Sequence, residues 1–139
     1  MKTLVVYYSY TGKTKKIAQD LAKEKGAEII ELQEKAKRSK FNAYVFGSMA
    51  ARGQKSVELQ NDKIDFSAFD SIVIAMPIWA GYPAPAINNI IQALPGGKKI
   101  ELIMISGSGS SKGSAEKTKA LIEAKGCSVE KYQDIKSGV

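Results

Sequence analysis

The sequence of 139 residues contains no histidine and one cysteine, Cys127. A lone cysteine excludes an internal disulfide, and the missing histidines exclude a zinc finger, a His-based catalytic triad and a His metal site. Proline is scarce, at four residues, and tryptophan occurs once. No apolar run approaches the roughly 20 residues of a membrane span. The chain passes directly from Met1-Lys2-Thr3 into an apolar segment, so a cytoplasmic protein without a membrane association is expected. A chain of this length buries roughly two-thirds of the surface its unfolded form exposes, enough for a core without staples. One domain, residues 1–139, is expected.

Charge of one sign is in excess, with 21 Lys+Arg against 14 Asp+Glu. Six of the seven net positive charges fall within residues 35–57, on Lys35, Lys37, Arg38, Lys40, Arg52 and Lys55, a stretch without Asp or Glu. A basic stripe attracts nucleic acid, an anionic membrane or an acidic protein, or is simply a solvated face. This one lacks the repeated aromatics of a single-strand platform, so nucleic acid is not an expected partner.

Leu4-Val5-Val6-Tyr7-Tyr8 is a short β-branched and aromatic run that reads as a buried strand. In residues 14–25, Ile17, Ala18, Leu21 and Ala22 share one helical face, and Gly26 supplies the stop. A second strand is expected over residues 27–32 and a third over residues 71–76, apolar on both faces as an inner parallel strand is, with Pro77 ending it. Ile87, Ile90, Ile91 and Leu94 mark a helix closed by Pro95-Gly96-Gly97. Residues 100–105 read as a fourth strand. A helix with an inner face of Ala115, Thr118, Leu121 and Ile122 follows, then a weaker fifth strand over residues 128–132. Within residues 35–60, Phe41, Tyr44, Val45 and Met49 are spaced for one further helix. This alternation predicts an α/β fold, a parallel sheet covered by helices through right-handed crossovers.

In such a sheet, ligands bind beyond the carboxyl ends of the strands. Three loops there are unusual. Ser9-Tyr10-Thr11-Gly12-Lys13-Thr14 places hydroxyls and a glycine at a helix start, where backbone N–H groups and the helix dipole attract a dianion. It is not a Walker A loop, which would need glycine at Tyr7, and Gly107-Ser108-Gly109 lacks the third glycine of a dinucleotide motif, where Lys112 stands. Simple N-capping is the competing reading of the first loop. The second loop, Pro77-Ile78-Trp79-Ala80-Gly81-Tyr82-Pro83, offers aromatic rings that stack on a flat heteroaromatic group or pack on the next helix. The third, Ser106-Gly107-Ser108-Gly109-Ser110-Ser111, is either a donor-rich ligand loop or a flexible connector.

Together, in order and spacing, these loops resemble those of the flavodoxins, and the resemblance runs from about Lys2 to about Tyr132. Ser9-x-Thr11-Gly12-x-Thr14 is similar to that family's phosphate loop, Pro77-Ile78-Trp79 with Gly81 to its first flavin loop, and residues 106–111 to its second. The resemblance implies a doubly wound parallel five-stranded sheet of order 2-1-3-4-5 carrying non-covalent FMN. It implies Ser9, Tyr10, Thr11, Gly12, Lys13 and Thr14 around the phosphate, and Pro77, Ile78, Trp79, Gly81 and Tyr82 bordering the isoalloxazine. Ser106, Gly107, Ser108 and Gly109 would meet its polar edge, and Gly81 would be the peptide that reorients when the flavin N5 gains a proton.

Three features depart from the family pattern. Lys13 stands where asparagine is more usual, the chain is basic rather than acidic, and only residues 133–139 follow the fifth strand, so the closing helix is expected to be missing, with one sheet face left to a dimer partner or the sequence being a piece of a longer one. The implied function is a low-potential electron carrier between redox partner proteins, an acidic partner among them, as a monomer or homodimer. The alternatives are an NAD(P)H-dependent flavin or quinone reductase of the same fold, and an anion-binding protein that keeps the fold without the flavin. Cys127 is expected in the core; Gln133 stands where a phosphatase signature needs arginine.

Overall fold

A computed structural model describes residues 2–9, 12–32, 64–79 and 81–137. The helix expected within residues 35–60, the basic stripe, Tyr10, Thr11 and Ala80 lie outside the described residues. The elements run β1 (Thr3–Tyr8), α1 (Lys13–Lys25), β2 (Glu28–Leu32), β3 (Ser71–Trp79), β4 (Tyr82–Pro83), α2 (Ala86–Ala93), β5 (Lys99–Ser106), α3 (Lys112–Glu123) and β6 (Ser128–Lys136). The long strands are all parallel, in the order β2-β1-β3-β5-β6. This is the expected 2-1-3-4-5 sheet once the two-residue β4 is set aside. Among the described residues no helix follows β6, and none is long and apolar enough to cross a membrane.

Alternation along each strand divides the core into two layers. Leu4 and Val6 of β1, Ile72, Ile74 and Met76 of β3, and Leu102 and Met104 of β5 face α2 and α3, meeting Ile87, Ile90 and Ile122. Val5, Tyr7, Val73, Ala75, Ile103 and Ile105 face the other side, where Ala18 and Ala22 of α1 pack. The small alanines let α1 approach the sheet closely. Fully burying an isoleucine or leucine contributes about 1.5–3 kcal/mol. Cys127 is buried in the α2–α3 layer, its thiol donating to the Pro95 carbonyl at 3.1 Å.

Three local expectations are corrected. Pro77 does not end β3, which continues to Trp79. Pro77 sits opposite Ile105 at the last step of the β3–β5 ladder, and beyond it β3 pairs antiparallel with β4, through Ile78 with Pro83 and Trp79 with Tyr82. A proline is tolerated where its missing N–H is not required, and its carbonyl accepts the Ala84 N–H at 2.9 Å. β6 reaches Lys136 rather than Tyr132, paired with β5 as far as Ser106–Lys136. Its second half is polar because it is an edge strand, where backbone pairing rather than apolar content holds the chain. Finally, the buried stripe of α3 is Ser114, Thr118 and Ile122, and Leu121 is exposed. The helix is rotated so that the Ser114 hydroxyl reaches the Gly81 carbonyl of the β3–β4 hairpin, while Leu121 lines a shallow pocket beside Tyr82 and Pro83.

Candidate functional site

The sheet order reverses between β1 and β3, so the crevice beyond their carboxyl ends is where such a sheet takes a ligand. Three segments surround it: the β1–α1 loop, the β3–β4 hairpin and the β5–α3 loop.

The first segment leads into the N-terminus of α1. Gly12 caps α1 with φ of 97°, the left-handed region that glycine enters without strain, and no side chain caps the helix. The first turn of α1 has no acidic residue, so its positive end is not neutralised locally. Ser9 Oγ accepts the Gly12 N–H at 2.9 Å, which leaves the serine's own hydrogen free to donate outward. Thr14 is 3% exposed, and no hydrogen bond joins its hydroxyl to any described residue. A buried hydroxyl without a partner is costly, and an anion seated on the helix end would satisfy it. Lys13 is exposed beside it.

The second segment presents Trp79. Its ring meets Tyr8 edge-on, with centroids 5.8 Å apart and planes at 78°, and it is half-buried against the α2–α3 layer together with Ile78. Gly81 has φ of 86° at the hairpin tip and is exposed. Tyr82 points to the helices: its hydroxyl accepts from Lys117 Nζ at 2.9 Å, and the same ammonium lies 5.5 Å from its ring centre. Tyr82 and Trp79 thus both make packing contacts, Tyr82 with Lys117 of α3 and Trp79 with Tyr8 and the α2–α3 layer.

The third segment holds itself in shape. Ser106 is buried, its Oγ accepting the Gly109 N–H at 2.9 Å and its carbonyl accepting the Ser137 N–H. Ser108 Oγ accepts the Ser110 N–H and donates to the Ser110 carbonyl, and Ser110 Oγ accepts the Lys112 N–H, each at 3.3 Å. Gly107 and Ser108 are exposed at its outer turn. These bonds fold the loop into a turn.

Several residues here were not singled out from the sequence. Tyr8 packs on Trp79, Ser114 and Lys117 hold the hairpin, and Ser111 is tied to Tyr132 and Asp134 of β6. Ser111 closes the third loop and Ser114 lies three residues beyond it, but no spacing rule marks Tyr132 or Asp134, which come near Ser111 through strand pairing. Burial raises the Tyr132 hydroxyl's pKa above the ordinary tyrosine value, the Ser111 hydrogen bond opposing it and the Asp134 charge adding to it.

The chain matches the family model described as flavodoxin over residues 2–131. A search of curated proteins finds no match. Among solved structures, a flavoprotein from Lactobacillus acidophilus, in complex with FMN, is 26% identical with a TM-score of 0.79, covering 94% of this chain and 91% of that one. A protein from Bacteroides uniformis described as a flavoprotein is 23% identical, TM-score 0.85, covering 99% and 92%. An NADH:FMN oxidoreductase in its apo form is 15% identical, TM-score 0.58, covering 95% and 75%. With a family match over nearly its whole length and the sheet order that the resemblance implied, this chain belongs to the flavodoxin family.

Proposed function

We propose that the protein holds FMN non-covalently in the crevice between the three loops and carries electrons between redox partner proteins. The observation that carries this reading is the acid-free start of α1, whose buried Thr14 hydroxyl has no partner among the described residues, set at the same sheet edge as Trp79. FMN, when bound, supplies the ability to take up and release electrons. The chain's part is to bind and tune it.

Ser9, Gly12, Lys13 and Thr14, with Tyr10 and Thr11 of the same loop, hold the phosphate through N–H groups, hydroxyls and the helix dipole. Ile78 and Trp79 give the flat ring an apolar wall. Ser106, Gly107 and Ser108 offer N–H and hydroxyl donors to its polar edge. Lys13, Lys112, Lys117 and Lys136, in or beside the elements that follow the three loops, are exposed, which suits a partner with an acidic docking face.

The test is titration of the purified protein with FMN. Quenching of flavin emission and of the single tryptophan at Trp79, with a shifted flavin absorbance band, is the expected result. A protein that alters neither emission nor absorbance overturns the flavin reading. The same architecture serves an NADH:FMN oxidoreductase, so the loaded protein is also mixed with NADH and NADPH. A carrier leaves both nucleotides unoxidised, and rapid oxidation of either would replace the carrier by a reductase.

A further inference from the structure

Two ring loops border the crevice, and neither touches the other through a described hydrogen bond; both are tied instead to the first turn of α3. Ser114 is fully buried and its Oγ donates to the Gly81 carbonyl at 2.6 Å, across 33 residues of chain. Its alternative acceptor, the Ser111 carbonyl, is 3.3 Å away. One hydroxyl has one hydrogen, so the shorter bond to Gly81 takes it. One turn further along α3, Lys117 holds Tyr82. On the other side, Ser111 ends the β5–α3 loop at 1% exposure, and its Oγ donates to Asp134 Oδ1 at 2.6 Å. That carboxylate oxygen only accepts, so the Tyr132 hydroxyl, which also meets Ser111 Oγ, donates to it. The Ser111 carbonyl accepts the Ser114 N–H at 3.0 Å, so a line of bonds runs from Tyr132 and Asp134 on the edge strand β6, through Ser111 and Ser114, to the tip of the β3–β4 hairpin.

We propose that this line is a spacer: Asp134, Ser111 and Ser114 are positioning residues that fix the separation of the two loops and so pre-form the slot for the flat ring. The inference deepens the FMN reading and rests on it. None of the three is assigned a contact with the ring. Gly81 shows why the spacer matters, because its φ of 86° is kept open by the absence of a side chain, and a Cβ there would meet nothing within 4 Å. At that tip the Gly81 carbonyl is held by the Ser114 hydroxyl, next to the pairing of Trp79 with Tyr82. A loop that is loose before binding must be ordered on binding, which lowers affinity without removing a ligand contact.

The experiment uses the full chain as wild type, Ser114→Ala and Asp134→Ala, with FMN and riboflavin as probes. The spacer serves the ring and not the phosphate, so both variants should bind FMN and riboflavin about fivefold more weakly, by the same factor for the two flavins. The visible circular dichroism of the bound flavin should change, and in flavin-free protein the peptide spanning residues 78–84 should exchange its amide hydrogens faster. Ser114→Thr, which keeps the hydroxyl, should restore the wild-type dichroism. Variants that melt earlier but bind both flavins with unchanged affinity and dichroism would overturn the spacer and leave the FMN reading standing. A wild-type protein that binds neither flavin would overturn both. Should Ser114→Ala fail to fold, Asp134→Ala at the far end of the line decides the matter by the same readouts.

Discussion

A Cβ placed on Gly109 would lie 2.9 Å from the Cβ of Lys136, nearer than side chains pack. The third loop and the end of β6 are therefore pressed together at a point where only a hydrogen fits, and Gly109 also holds φ of 75°, a left-handed conformation that L side chains rarely adopt. The colliding atom sits at the root of the lysine, so the backbone must move to relieve the clash. Gly109→Ala is expected to lower stability by about 2 kcal/mol, combining strain and overpacking. Thermal melting of the two proteins checks this, and equal melting temperatures would refute it.

The buried Thr14 hydroxyl, without a partner among the described residues, separates the two ends of the proposed ligand. Thr14→Val removes it with little change of volume, and a hydrogen bond to a charged group is worth about 1.5–3 kcal/mol. FMN affinity should fall about tenfold or more, while riboflavin, which lacks the phosphate, should bind as before. Equal losses for the two flavins would move the phosphate elsewhere.

Tyr7 donates to Glu31 Oε2 at 2.9 Å across the β1–β2 pair, and burial first, then the hydrogen bond and charge of Glu31, push its pKa up to about 12. The ionised form is disfavoured in the folded protein, so the unfolded chain gives up this proton first as pH rises. The stability Tyr7 contributes is whole below about pH 10 and is lost between pH 10 and about 12. Tyr7→Phe should therefore show a shallower alkaline decline in melting temperature. Glu31→Gln should shift the last tyrosinate absorbance step toward lower pH.

The charge of these exposed lysines predicts the salt response of electron delivery. Transfer to an acidic iron–sulfur protein should slow several-fold as ionic strength rises from about 0.05 to 0.5 M, since exposed charges are screened over about 10 Å at 0.1 M. Transfer to a basic cytochrome should not slow. Lys112→Glu with Lys136→Glu should flatten the first dependence, and a rate indifferent to salt would remove the acidic partner from the proposal.

The strongly apolar strands β1, β3 and β5 and the alanine face of α1 were legible because their pattern is set by burial on both sides of the sheet. The second half of β6 was not, because an edge strand is held by backbone pairing, which leaves no mark on side-chain hydropathy. Pro77 misled for a related reason: the rule that proline stops a strand assumes that its N–H is needed, and at the junction of two ladders it is not. At the site, the hydroxyl and glycine composition of the loops was readable. Which way Tyr82 turns, and that Asp134 anchors Ser111, depended on how α3 is rotated and on strand register, neither of which is local in sequence.

Glu101 stands in the middle of β5, opposite Val73 on one side and Lys131 on the other, facing the α1 side of the sheet. Its carboxylate is bracketed by Lys25 at 3.5 Å and Lys131 at 3.6 Å, with only 13% of the side chain exposed. A second sheet or another copy settling on that surface would have to strip water from three charges together, a cost of several kcal/mol for each ion left imperfectly paired. The triad thus works against adhesion, setting three charges in a hollow that Thr3, Ser71 and Lys99 also line. Glu101→Leu should accordingly announce itself as concentration-dependent turbidity in a light-scattering assay while the melting temperature stays level, the colloidal behaviour of the protein resting on one carboxylate.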